Sequence, residues 1–99
     1  MNKYEIISIL NDNLSTLKNE YGISKIGIFG SYSKNTQTKK SDVDLLIKFK
    51  NPIGFKYFEL IEFLENKLGK KVDIITEKGL EQIRLKSVSD SIRNEITYV

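Results

Sequence analysis

Three aspartates and one Gly-Ser pair are the residues of this 99-residue chain whose types and spacing could do chemistry. Asp42 and Asp44 flank a valine in SDVDLLIKF. On a strand, side chains two residues apart share a face, roughly 6.5–7 Å apart along the backbone. Two carboxylates so placed can reach one or two metal ions between them. They also repel each other, so a cation or a solvated position must keep both ionised. A lone D-x-D more often belongs to a loop ahead of an exposed strand. Here the pair leads into the apolar run LLIKF, where an unpaired buried Asp44 would be costly. Asp73 interrupts KVDIIT, whose Val72, Ile74 and Ile75 describe a core strand. Violations of this kind gather at functional sites, although an edge strand turning Asp73 to water explains it equally well. Gly30-Ser31 ends another apolar run. Glycine admits close backbone approach, free N–H groups at a helix start attract phosphate, and Ser31 adds a hydroxyl and Lys34 a positive charge. Taken alone, a Gly-Ser pair more often marks a turn.

What is missing narrows the chemistry further. The chain has no cysteine, histidine or tryptophan. Disulfides, thiolate nucleophiles, Ser-His-Asp triads, the usual zinc sites and imidazole bases are excluded. Any catalysis falls to carboxylates, hydroxyls, lysines and metal ions, and hard oxygen donors favour Mg²⁺ or Mn²⁺. The net charge of +3 suits a polyanionic ligand such as a nucleotide, but does not argue for nucleic acid.

The elements that must position these residues follow from periodicity. Ile7, Leu10, Leu14 and Leu17 predict an amphipathic helix over 3–19, stopped at Tyr21-Gly22. Lys25–Phe29 reads as a buried strand, and 31–41 as a turn, with room for one helical turn, followed by a loop. Val43–Lys50 reads as a second strand, with Leu45, Ile47 and Phe49 alternating with Asp44, Leu46 and Lys48. Phe55, Phe58, Ile61, Leu64 and Leu68 form one stripe of a helix over 55–68 that ends at Gly69. By the same spacing, Phe55, Phe58 and Phe63 are expected in the core. Lys71–Thr76 is a third strand. The region 80–95 is expected to be helical, and ITYV extended. The outcome is one α/β (α+β) domain over 1–99, with helices packed on a small mixed sheet. The ordinary balance of 39% apolar and 29% charged residues fits a soluble globular protein. No apolar run is long enough for a membrane span and no signal-peptide pattern is present, so a cytoplasmic protein is expected.

In combination these residues are far more specific than in isolation. The GS of FGSYSKN, the D-x-D of SDVDLLIKF and the later carboxylate of KKVDIIT resemble the DNA polymerase β-like nucleotidyltransferase superfamily in its minimal (MNT) form. The resemblance runs from about Ile26 to Thr76, and EITYV resembles the close of such proteins. It implies a nucleotidyltransferase-like fold and transfer of a nucleoside monophosphate from a triphosphate to a hydroxyl. On that resemblance, Asp42 and Asp44 ligate two Mg²⁺ ions. Asp73 completes the catalytic metal's shell and helps deprotonate the acceptor. Gly30 and Ser31 hold the β- and γ-phosphates. Ser33 and Lys34 stand at the small and basic positions of the same phosphate-binding motif. Asn35 replaces the glycine that usually follows, and asparagine tolerates left-handed backbone angles better than most residues.

A single domain over 1–99 leaves no second domain to grip an acceptor, so another protein is expected to deliver it. The resemblance thus extends to the antitoxin half of HEPN–MNT toxin–antitoxin pairs. It implies ATP as donor and a tyrosine of a HEPN ribonuclease toxin as acceptor, with no membrane and no direct nucleic-acid contact. One rival is an antitoxin that is catalytically weak or inert and neutralises its partner by binding, for which Asn35 is the main support. The other is a small RNA-binding domain using scattered lysines, Arg84 and aromatic residues. In such a domain the aspartates would have no role and would repel phosphate.

Overall fold

The computed structural model describes residues 1–83 and 85–99. Asn2 and Glu5 start the first helix with a reciprocal capping box: Glu5 N–H donates to Asn2 Oδ1 at 2.9 Å and Asn2 N–H to Glu5 Oε1 at 3.2 Å. The expected single helix is instead two, α1 (Lys3–Asp12) and α2 (Leu14–Tyr21). Asn13 leaves helical geometry at φ −108°, ψ 8°, and its side-chain amide donates to the Ile9 carbonyl at 2.8 Å. This is the local competition with helix bonding that asparagine offers. The break lets Ile6 and Leu10 from α1, and Leu17 and Tyr21 from α2, all reach the core.

Strand β1 (Ile23–Phe29) passes directly into the short helix α3 (Gly30–Lys34). Then follow β2 (Val43–Phe49), α4 (Lys56–Leu68), β3 (Val72–Thr76), α5 (Glu77–Glu81), α6 (Lys86–Glu95) and the two-residue β4 (Thr97–Tyr98). The helix expected over 80–95 is therefore replaced by two shorter ones among the described residues, and its portion at Arg84 lies outside them. The sheet is mixed, with strand order β3-β2-β1-β4. β2 pairs antiparallel with β1 and parallel with β3, and β4 pairs antiparallel with β1.

The alternation along the strands separates two faces. Ile26 and Ile28 of β1, Val43, Leu45 and Ile47 of β2 and Val72 of β3 form one core with α1, α2 and α4. Gly27, Phe29, Asp44, Leu46, Asp73 and Ile75 fall on the other face by the same alternation. There Leu46 and Leu80 of α5 are both fully buried outside the main core.

The aromatic expectation for α4 needs correction. Leu60, Leu64 and Leu68 are its buried residues, whereas Phe55 is 88% and Phe58 67% exposed. A stripe drawn through spacings of three drifts around a helix of 3.6 residues per turn, and the four-residue spacing of the leucines is the one that faces the sheet. Phe63 is partly buried against the core, its ring 5.6 Å from that of Tyr21. Leu64→Ala is expected to destabilise the fold by about 2–5 kcal/mol, and Phe58→Ser to change it by less than about 0.5 kcal/mol. Urea unfolding of the two variants checks the assignment, and equal losses would contradict it.

Candidate functional site

Strand register decides whether the three aspartates can act together. In the parallel pair, Asp44 lies directly beside Asp73, and in the antiparallel pair Asp44 lies opposite Phe29. Residues in register on adjacent strands project to the same face. Phe29, Asp44 and Asp73 thus form one row across three strands, and Phe29 is the residue from which α3 starts. Asp42 is exposed and lies just ahead of β2 rather than on it. Its position is set by the Val43 N–H, which donates to the Lys71 carbonyl at 2.9 Å and ties the D-x-D to the start of β3.

The Gly-Ser turn is brought to the same row. Gly30 has φ +72°, a left-handed angle that side chains rarely adopt. A Cβ there would also overlap Asp44 Oδ2 and lie only 3.0 Å from Asp44 Cγ. Glycine is needed both for its backbone angle and because the Asp44 carboxylate packs against it. Asn35 closes α3 at φ 62°, ψ 35°, so it supplies the left-handed conformation that the motif's usual glycine would give. The Thr36 N–H then donates to the Ser31 carbonyl at 2.9 Å.

Ser31 is half-buried, and among the described residues its hydroxyl has no intramolecular partner. Ser33 and Lys34 both meet Glu95 near the C-terminus. The Ser33 hydroxyl donates to the Glu95 carbonyl, and Lys34 Nζ pairs with Glu95 Oε1 at 2.9 Å. Tyr32, which sequence reasoning passed over, is fully buried, and its hydroxyl reaches the Ser41 carbonyl at 3.5 Å. The loop ahead of Asp42 is further fastened by the Thr38 N–H to Ser41 Oγ at 2.9 Å and by Lys70 Nζ to the Lys39 carbonyl at 2.9 Å.

The electrostatics follow from this placement. Burial, then the charge of Asp73, then that of Asp42, push the Asp44 carboxyl above its ordinary range. Among the described residues no three carboxylates already converge at metal-ligating spacing, so the set is an open row rather than a closed cage. Such a row suits a hard cation that keeps several ligand positions for water or phosphate oxygens. A cleft of about 610 Å³ opens at the opposite ends of β2 and β3, lined by Lys48, Lys50, Thr76 and Lys78, and is not part of this row. No described helix is long and apolar enough to cross a membrane.

Comparison with known proteins identifies the family and the fold. The nucleotidyltransferase domain family matches residues 7–99. The protein adenylyltransferase MntA of Thermococcus cleftensis is 35% identical over 96 residues, covering 96% of this chain and 93% of its own. A solved structure assigned to the minimal nucleotidyltransferases superposes with a TM-score of 0.77 at 26% identity, over 98% of this chain and 95% of that one. The fold alone is shared with a chain from the complex of tri-AMPylated Shewanella oneidensis HEPN toxin with MNT antitoxin. There the TM-score is 0.55 at 20% identity, over 98% of this chain and 67% of that one.

Two outcomes follow for the row. Because the folded-state pKa of Asp44 is raised, its contribution to stability is full below the unfolded value of about 3.9 and is lost as pH rises through the folded one. At neutral pH its charge therefore opposes folding. Asp44→Asn should melt higher than the wild type at neutral pH, with the gap closing in acid, as calorimetry across pH would read. Gly30→Ala should melt lower by an amount that shrinks when Asp44→Ala is added, because the second change removes the obstructing carboxylate. Strictly additive effects would contradict the packing of Asp44 on Gly30.

Proposed function

The chain belongs to the nucleotidyltransferase domain family, and on that premise we propose that it transfers AMP from ATP to a tyrosine hydroxyl of a HEPN-type ribonuclease toxin. It is then the antitoxin of the pair, acting by modification in the cytoplasm and needing neither membrane nor nucleic acid. The observation that carries this reading is the row in which Asp44 lies between Asp73 and the Gly30-Ser31 turn.

In the reaction the acceptor oxygen forms a bond to the α-phosphorus of ATP. The bond from that phosphorus to the oxygen bridging to the β-phosphate breaks, and pyrophosphate leaves with the electron pair. The acceptor's proton passes to Asp73 or to water. Asp42, Asp44 and Asp73 would hold two Mg²⁺ ions, with Mn²⁺ a workable substitute, because all their donors are hard carboxylate oxygens. When bound, the ions lower the acceptor's pKa and neutralise charge on the departing oxygen, so no histidine is required. Gly30 and Ser31 bind the β- and γ-phosphates, with the unpaired Ser31 hydroxyl as a donor. Ser33 and Lys34 support that turn through their ties to Glu95. The reading as an inert binder loses its main support, since Asn35 adopts the backbone angles that a glycine would supply.

The test is incubation of the chain with the candidate toxin, Mg²⁺ and ATP labelled at the α-phosphate. Label is expected on a toxin tyrosine and is abolished by chelation. Asp44→Ala should lower the rate at least about a hundredfold, the scale on which lost electrostatic stabilisation is felt. A stable complex that gains no label would replace transfer with neutralisation by contact.

A further inference from the structure

Glu95 lies 62 residues beyond Ser33, yet both of its polar ends meet α3. Its carbonyl accepts the Ser33 hydroxyl, and its carboxylate pairs with Lys34 at 2.9 Å. The Lys34 side chain is 52% exposed and that of Glu95 23%, so the pair is partly sheltered. Ser33 Oγ also stands 3.4 Å from Thr97 Oγ1, and Ser91 Oγ donates to Glu95 Oε1 at 3.3 Å.

The backbone of Glu95 is itself held in place. It ends α6 one residue before Ile96, and β4 follows at once. β4 seats on Gly27, where an added Cβ would meet Ile96 Cγ2 at 2.6 Å and Tyr98 Cδ1 at 3.1 Å. The Val99 N–H closes the edge by donating to the Ile26 carbonyl at 2.9 Å. α6 has no fully buried residue; its Ile92 is half-buried, and polar ties add to that contact with the rest of the fold. One of them is Arg93 Nη1 to Glu77 Oε1 at 3.1 Å. The C-terminal strand therefore fixes Glu95, and Glu95 fixes the far side of the short helix that begins with Gly30-Ser31.

We infer that Glu95 is a positioning residue for the Gly30-Ser31 turn, acting through Lys34 and Ser33 to hold that turn in its nucleotide-binding geometry. The inference rests on the nucleotide reading above. It makes Lys34 a structural tie rather than a direct phosphate ligand, and the two roles give opposite results in a charge exchange.

The experiment is calorimetric titration of a non-hydrolysable ATP analogue with Mg²⁺, in the absence of any acceptor. Glu95→Gln is expected to weaken binding about fivefold, the scale of a partly sheltered ion pair, and Glu95→Asp to recover most of that loss. Lys34→Glu and Glu95→Lys should each weaken binding, and the double exchange should return it to within about twofold of the wild type. Melting curves confirm that each variant is folded. If any of them is not, Ser33→Ala supplies the test, because it removes the second tie and leaves both charges in place. It too should weaken binding. Wild-type affinity in Glu95→Gln, or no recovery in the double exchange, overturns the positioning role while leaving nucleotide binding intact. A wild-type chain that binds no nucleotide overturns the functional reading and this inference together.

Discussion

Asp44 and Asp73 stand side by side on adjacent parallel strands, and the partial burial of Asp44, with the charge of Asp73 beside it, is the constraint around which the open face of the sheet is arranged. Neither carboxylate has a lysine or arginine partner among the described salt bridges. The compensation lies on the opposite face. Val43, Leu45 and Ile47, which alternate with Asp44 along β2, are completely buried against the helical layer. A fully buried aliphatic side chain contributes about 1.5–3 kcal/mol, and slipping β2 by one residue would exchange its two faces. The hydrophobic pattern therefore holds Asp44 in a register that its burial and the neighbouring charge oppose.

The same constraint explains the steric features nearby. With Asp44 partly buried, its carboxylate needs a neighbour without a side chain, and Gly30 provides one at the point where β1 turns into α3. In the next row on that face, Gly27 leaves the space that Ile96 and Tyr98 of the C-terminal segment fill. One absent side chain brings the Gly-Ser turn to the acidic row, and the other seats the strand that secures α3 from behind.

Much of this was legible in the sequence because it depends on local period. The alternation in VDLLIKF and the misplaced aspartate in VDIIT describe one strand half-buried and another with a polar demand, and both hold in the fold. Asn35 and the extended end ITYV were likewise readable from residue type. The misreadings arose where tertiary partners decide. Phe55 and Phe58 satisfy a helical spacing, but the face of α4 that meets the sheet was chosen by Leu60, Leu64 and Leu68. The break at Asn13 depends on a side-chain bond to Ile9, which competes with a helical pattern that continues through it. Ser33 and Lys34, read from the motif as phosphate ligands, also have a tertiary partner that the motif does not record. Their ties to Glu95 span almost two-thirds of the chain, and no local pattern records such a contact.

The two halves of the site are thus held by different means, and the difference suits what each would do. Asp44 and Asp73 are borne on strands, where backbone ladders and a packed reverse face fix their positions, as the proposed metal-holding role would require. The Gly-Ser turn is borne on a five-residue helix that is anchored by buried Tyr32 and otherwise secured by surface polar contacts. Contacts of that kind contribute little individually and respond to neighbouring charge. The turn is thus secured by contacts weaker than the ladders and packing that hold the carboxylate row. A fold with few residues to spend on packing gains most by placing its rigidity under the charges that must not move.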